Sequence, residues 1–412
     1  MERAALRAGD PVAALRRAWV QPRGARVCVL SVGKAAVEMA AAGKELLGAR
    51  MVRALVVGPE GSSGAARGVG MHEGGVVEVM EGDHPYPTGR SLAAGIAVER
   101  FVRGVGMGEE LVVMLSGGGS ALACLPREGL GVEDVAEMTR VVQKAGGDIG
   151  RLNVLRRHCE RIKGGGLARV CGAGAVRVYV LSDVLGDDLA TVASGPFAAD
   201  VTTRGDAARV LEELGLEGRL GRVWGWLRGG GEETMKRVDP RVEHVVIASS
   251  GMVGEAVAAE VGAWARVGGV ELGVTGEAAE VGRGLARRWK GDRGKAWVIA
   301  GEYTVEVGEG EGVGGPTQEM ALGAVVELEG EMEGEWAMWA YSTDGRDGPS
   351  EACGVLADAG MVRGRGEAAR AALAAHDSGG YWMACGGALA RRVTGTNLNH
   401  VAVLMGLAGG KS

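Results

Sequence analysis

LVVMLSGGGSAL, residues 111–122, is the stretch on which the fold is read. Leu111–Leu115 is a short, continuous apolar run, as in a strand buried on both faces. Ser116, three glycines and Ser120 then form a strand-to-helix turn. Successive backbone N–H groups at such a turn make a nest for an anion. A glycine turn needed only for tight packing has the same sequence, so a ligand role for Ser116, Gly117, Gly118, Gly119 and Ser120 stays open at this point.

The same unit recurs on either side. Arg26–Ser31, Ala54–Gly58, Val76–Glu81 and Val176–Leu181 are β-rich runs, each followed by a turn or glycine loop. Helical patterns lie between several of them, at Ala35–Leu47, Ser91–Val105, Val132–Ala145 and Leu152–Val170. Strand, loop, helix, strand is the rhythm of a mostly parallel sheet covered on both faces. Leu214–Pro240, Gly-rich and charged, reads as a helix plus linker. It places an expected boundary between a domain at 1–230 and a second at 241–412. Strands resume at Glu243–Ala248, Glu271–Thr275, Ala296–Ala300, Tyr303–Val307 and Trp336–Tyr341. Ala296–Val307, interrupted by Gly301 and Glu302, reads as a hairpin or a bulged strand.

Composition narrows the function. The chain has 412 residues and a formal net charge of −6, which argues against non-specific binding to nucleic acid or an anionic membrane. No apolar run approaches the roughly 20 residues that span a bilayer. The N-terminus carries Arg3, Arg7, Arg16 and Arg17 but no apolar signal core, and the six scattered cysteines form no C-x-x-C. A reducing, cytoplasmic setting is expected. Aromatic residues make up 4%, so the core is expected to be aliphatic. The 75 glycines show no three-residue period, which excludes collagen.

Several loops carry candidate chemistry. Lys34, behind Gly33 and before a helix, is placed to meet an anion. It is not a Walker A lysine, because Cys28 and Ala35 stand where that motif needs Gly and Ser or Thr. Asp183, Asp187 and Asp188 follow a buried strand and suit Mg²⁺ held with phosphate oxygens, or, for the last two, helix caps. Asn153, Arg156, His158 and Lys163 share one helical stretch ending at Gly164–Gly166. Arg156 and Lys163, seven apart, would share a face and hold phosphate, or form a solvated basic face. Ser194-Gly195-Pro196 makes a tight turn. The Asp/Gly-dense Thr343–Pro349 suits a metal or a hydroxyl, and Thr394–His400 is small and polar.

Taken in order, GKAAVEM (33–39), GDHPYPTGRS (82–91), LSGGGSALACLP (115–126), N-x-x-R-x-H-x-x-x-IKGGGLA (153–168), LSDVLGDDLATVASGPF (181–197), GGPTQEMAL (314–322), STDGRDGPSEACG (342–354) and TGTNLNHVAVLM (394–405) resemble the class II glycerate kinases, the MOFRL family. The resemblance spans nearly the whole chain. It implies two α/β domains, an N-terminal Rossmann-like one and a C-terminal MOFRL one, with the active site in the cleft between them. It also implies phosphorylation of D-glycerate by ATP with Mg²⁺, usually at the 2-hydroxyl.

On this resemblance Lys34 falls on the family's catalytic lysine, and Asp183, Asp187 and Asp188 would hold the metal. Ser116–Ser120, Asn153, Arg156, Lys163, Gly195, Thr396 and Asn397 would bind substrate or nucleotide. Asp344, Arg346 and Asp347 would join in catalysis, one aspartate accepting the hydroxyl proton. Two departures stand out: Pro316-Thr317 replaces a common Arg-Asn pair, and Ser342 stands where Gly is usual. Arg346, between Asp344 and Asp347, either supplies the missing charge or simply pairs with its flanking aspartates or points to solvent. No nucleic-acid or membrane partner is expected, and the chain would be a monomer or homodimer. The alternatives are a hydroxypyruvate reductase, disfavoured by the lack of a strong G-x-G-x-x-G motif, and a non-catalytic homologue binding a sugar acid or nucleotide.

Overall fold

The computed structural model describes residues 1–71, 76–184, 186, 188–307, 312–329 and 336–407. By its contacts the chain divides into two units: Leu15–Ile247, and Ala248–Ser412 together with Met1–Ala14. The division falls beyond the 231–240 linker anticipated from composition, and the first fourteen residues group with the C-terminal half. Local bonds explain that grouping. Thr396 Oγ1 donates to the Gly9 carbonyl at 2.8 Å, and Arg392 pairs with Glu2.

The first unit is built on a six-stranded sheet: β1 (Val27–Val32), β2 (Met51–Gly58), β3 (Val77–Glu81), β4 (Glu110–Leu115), β5 (Ala175–Ser182) and β6 (Val242–Ser249). The spatial order is β3-β2-β1-β4-β5-β6, and β3, β2, β1, β4 and β5 pair in parallel. β1 is buried at every position; its run VCVLSV is apolar but for Ser31, whose Oγ donates to the Ala36 carbonyl at 2.8 Å. The order reverses between β1 and β4, and loops at the carboxyl ends of strands beside such a reversal are where open α/β sheets bind ligands. The core around this sheet is mainly aliphatic, with Phe101 and Phe197. A second cluster forms among the helices Val132–Lys144, Ile149–Cys159, Arg204–Glu213 and Gly221–Arg228.

The helix expected over Leu152–Val170 is in fact two, Ile149–Cys159 and Gly166–Val170. The first helix ends where Glu160 turns extended, at φ −123° and ψ 141°, and left-handed Gly165, at φ 77°, starts the second.

The second unit holds a mixed six-stranded sheet: β7 (Val267–Glu277), β8 (Ala296–Thr304), β9 (Trp336–Ser342), β10 (Ala352–Asp358), β11 (Ala388–Ala390) and β12 (His400–Gly406), ordered β11-β10-β9-β12-β8-β7. Only the β7–β8 pair is parallel. Ala296–Val307 does not form a hairpin. Ala296–Thr304 is one strand, and the irregularity lies in its partner, between Leu272 and Val274. The aliphatic-core expectation fails here, because Trp289, Trp336, Trp382, Tyr303 and Tyr381 are packed inside this unit. The six cysteines are free thiols, and burial raises the pKa of Cys28, Cys124, Cys159, Cys171 and Cys353.

Candidate functional site

Two loops from the strands flanking the reversal are laced together. After β1, Gly33 takes φ 136° and donates its N–H to the Val57 carbonyl at 3.0 Å. A Cβ at Gly33 would collide with Ser116, whose carbonyl carbon lies 2.8 Å from that point. Lys34 N donates to the Gly117 carbonyl at 3.0 Å, and Ala35 N donates to Ser116 Oγ at 3.1 Å. The sequence placed Lys34 and the Ser116–Ser120 turn in separate loops; the strand order makes them neighbours.

Three side chains converge on the glycine turn, Lys34, His84 and Asp183. Lys34 is exposed and runs along Gly118, its Cγ and Cε 3.3 Å from the position a Cβ would take there. His84 Cδ2 stands 3.3 Å from the same point. Gly118 itself has φ 84°, which favours glycine. Asp183 Cγ lies 2.9 Å from the Cβ position of Gly117. Arg156, buried at the end of its helix, contributes its field to His84. Burial raises the Asp183 carboxyl above its ordinary range, against the pull of its own backbone amide and of Lys34. Burial also lowers His84 to about 4, helped by Lys34 and Arg156. Among the described residues the amides of Gly117 and Gly118 meet no protein acceptor, and the Lys34 ammonium has no carboxylate within 4.0 Å.

Other expected residues brace this turn. Lys163 is buried and donates to the Ser120 carbonyl at 2.8 Å and the Ala123 carbonyl at 2.9 Å, with Glu160 at 3.8 Å. It is not on a face shared with Arg156, because the helix ends between them. Both cations instead stabilise the buried Glu160 carboxylate, whose pKa burial pushes up. Asn153 Oδ1 accepts from Ser194 Oγ at 2.8 Å, and Ser194 Oγ shares a second 2.8 Å bond with Ser120 Oγ. Ala193, Ser194 and Gly195 take φ of 50°, 59° and 62°, a strained run of the kind held at functional sites. The Gly164 and Gly165 amides donate to the Ser194 and Gly195 carbonyls at 3.0 and 2.7 Å, so they are occupied rather than open to phosphate.

The aspartates divide. Asp188 accepts from Ala190 N at 3.0 Å and Thr191 Oγ1 at 2.8 Å, and so closes its own turn. Asp187 lies outside the described residues. Among the described residues no group of three metal-ligating side chains is assembled. Asp183 remains as a carboxylate beside the glycine turn and Lys34. That fits Mg²⁺ handled with a nucleotide, where one or two carboxylates act with phosphate oxygens.

In the second unit, Pro316 opens the helix Pro316–Leu328 at its first turn, where a missing N–H costs nothing. Asp347 is buried and caps that helix. Its Oδ1 accepts from Thr317 N at 2.9 Å, and its Oδ2 accepts from Gln318 N at 2.8 Å and Gln318 Nε2 at 2.9 Å. Both oxygens are engaged, which describes a cap rather than a base. Asp344 is exposed and accepts from Ser342 Oγ and Arg346 N, both at 2.9 Å. Arg346 is exposed, with Nε donating to the Gly348 carbonyl at 2.8 Å. Thr396 is tied to Gly9, and Asn397 is exposed.

Sequence reasoning gave no role to His84 or Ser194, although both lie in quoted motifs. The signal for His84 was its place just beyond the carboxyl end of a parallel strand, β3.

These features define an α/β protein in which a glycine turn, a lysine and a carboxylate are brought together at the reversal point of a Rossmann-like sheet. Residues 1–227 match the model of a domain of unknown function, DUF4147, and residues 295–400 match the MOFRL family. The chain is 34% identical to a D-glycerate 2-kinase of Thermotoga maritima, over 92% of this chain and 90% of the relative. It is also 34% identical to a putative hydroxypyruvate reductase of Agrobacterium vitis, over 98% and 92%. The crystal structure of a glycerate kinase from Thermotoga maritima superposes with a TM-score of 0.85 at 31% identity, covering 98% of this chain and 97% of that one. The chain belongs to the MOFRL family of glycerate kinases.

Proposed function

We propose that this protein transfers the γ-phosphoryl group of ATP to D-glycerate, at the 2-hydroxyl, giving 2-phospho-D-glycerate. The observation that carries this reading is the convergence of Lys34, Asp183 and His84 on the turn Gly117–Gly119, in a chain similar over its length to a D-glycerate 2-kinase.

Phosphoryl transfer asks for positioning and charge neutralisation more than covalent chemistry. The amides of Gly117 and Gly118 cradle an anionic oxygen. Lys34, with no carboxylate within ion-pair distance among the described residues, meets the transferring phosphate or the substrate carboxylate. Asp183 would hold Mg²⁺, which when bound neutralises phosphate charge. Lys163 and the Asn153–Ser194–Ser120 chain keep the turn in place. From the second unit, Asp344, Arg346, Thr396 and Asn397 are assigned to the same reaction, with Arg346 supplying the charge that Pro316 does not. Arg346 suits this, since its Nε is anchored within its own loop while its terminal nitrogens have no partner among the described residues.

The test is ³¹P NMR of the product formed from D-glycerate and Mg-ATP, which reads activity and regiochemistry together. A 3-phosphoglycerate signal would overturn the assignment of the 2-hydroxyl. The second reading, a reductase, follows from the name carried by the Agrobacterium relative. Oxidation of NADH by hydroxypyruvate without ATP would support it; absence of that reaction leaves the kinase.

Among the described residues no helix is long and apolar enough to cross a membrane. We propose a cytoplasmic protein acting on small molecules as a monomer or homodimer.

A further inference from the structure

We propose that His84 binds the acceptor hydroxyl of the sugar-acid substrate, as a neutral hydrogen-bond acceptor that orients this oxygen for attack. The inference rests on the phosphotransfer reading above and adds to it the group that handles the nucleophile.

The placement is built. The loop beyond β3 is tied down at both ends. Gly82 N donates to the Gly58 carbonyl at 3.0 Å, and Asp83 N donates to Ser91 Oγ at 3.0 Å. Arg90 Nε donates to Asp83 Oδ2 at 3.1 Å. Gly82 packs so closely on Leu122 that a Cβ would lie 2.7 Å from the Leu122 carbonyl carbon. The next residue but one is His84, and its ring is thereby set over Gly118, across from the Lys34 side chain. Tyr86 further along is covered by the Arg140 guanidinium, 4.8 Å from its ring centre.

The chemistry follows by what each neighbour can do. Lys34 and Arg156 only donate hydrogen bonds, and they suit phosphate and carboxylate oxygens. Asp183 is the group suited to the metal. Ser116 Oγ is held by Ala35 N, and Ser120 Oγ by Ser194. Of the two aspartates expected to receive the hydroxyl proton, Asp347 has both oxygens on the amides of a helix start, and Asp344 already accepts from Ser342 Oγ and Arg346 N in its own loop. Among the described residues neither ring nitrogen of His84 has a partner, and the residue keeps solvent access. By contrast His158 bonds Thr202 and His376 bonds Glu319. Partial burial and the two cations hold the His84 pKa at about 4, so near neutral pH the ring is uncharged and one nitrogen is an open acceptor. A weak base suffices for this task, because a loose phosphoryl-transfer transition state needs the hydroxyl aimed more than it needs it deprotonated early.

The test uses the full chain with ¹³C-labelled histidine. The His84 ring signal is assigned by its loss in His84→Gln. Titration with D-glycerate should shift that signal, and propanoate, which has the carboxylate but no hydroxyl, should not. In steady state, His84→Phe should lower kcat about 10- to 100-fold and leave the KM for ATP within about twofold. Asn or Gln at 84 should recover part of the loss, since the amide oxygen accepts. The inference is overturned if D-glycerate fails to move the ring signal, if propanoate moves it equally, or if the Phe, Asn and Gln variants are impaired alike. Failure of the kinase reading looks different: D-glycerate shifts the ring, yet ³¹P NMR shows no phosphoglycerate.

Discussion

The Asp183 carboxylate occupies the space that the Cβ of any residue but glycine would fill at position 117, with its Cγ 2.9 Å from that point. The acid and the turn are therefore one device. Gly117→Ala should displace Asp183 and lower kcat/KM about 10-fold or more, since misplacement by about 1 Å can cost as much as 10²-fold. Circular dichroism should remain native. Asp183→Asn should raise the Mg²⁺ concentration needed for half-activity, read from a metal titration of initial rates. An unchanged metal titration would remove Asp183 from the metal's ligands.

Lys34→Ala should lower kcat by on the order of 10²-fold or more, because a charge meeting the transition state is lost. Its side chain is exposed, so the melting temperature should move little. A loss below about threefold would take Lys34 out of the catalytic set.

Arg346 and Pro316 are tested as a pair. Arg346→Ala should be severely impaired, since an arginine at such a site is worth about 10³-fold or more. Pro316→Arg should restore part of that loss, and the coupling is read from the double-mutant cycle. Near-normal kcat/KM in Arg346→Ala would move the role to another cation.

Asp347→Ala should act on stability. It strips three N–H donors of a carboxylate partner at the start of a buried helix, and unsatisfied buried donors cost about 1–3 kcal/mol each. Asp347→Asn, which keeps one acceptor oxygen, should lose less. Thermal denaturation followed by circular dichroism ranks the three proteins.

His158 predicts an acid-side loss of stability. Burial lowers its pKa from 6.5 to about 4, against the pull of Asp200 and Glu233. Between those values the unfolded chain takes up a proton that the folded protein refuses, so stability falls as pH drops through this window. His158→Gln should give a flatter melting temperature between pH 6.5 and 4. A slope identical to the parent protein would assign the acid loss to other groups.

Much of the first unit was legible because buried parallel strands are written as continuous apolar runs. VCVL and LVVML need no partner to be recognised, and the glycine turns beyond them mark carboxyl ends. Lys34 and the Ser116–Ser120 turn were therefore visible as candidates. Lys163 was visible too, but a cation's type and spacing do not reveal that backbone carbonyls accept its hydrogen bonds. Asp347 likewise reads as a free acid until the helix it caps is packed against it. The three-residue strand β11 carries too little pattern to be separated from loop, and β10, Ala352–Asp358, is not among the expected strands. The tryptophans of the second core were countable but not placeable.

The sequence by itself determined the local alphabet of the first unit: its buried parallel strands, where the chain turns on glycine after them, and which polar residues stand at the strand ends. Only the tertiary structure decided the company these residues keep. The order β3-β2-β1-β4-β5-β6 brings Lys34 beside Gly117 from a loop more than eighty positions away, and carries His84 from the edge strand to the same turn. Periodicity records whether a residue is buried. The choice of strand neighbour depends on long-range packing of whole faces, which no local spacing encodes.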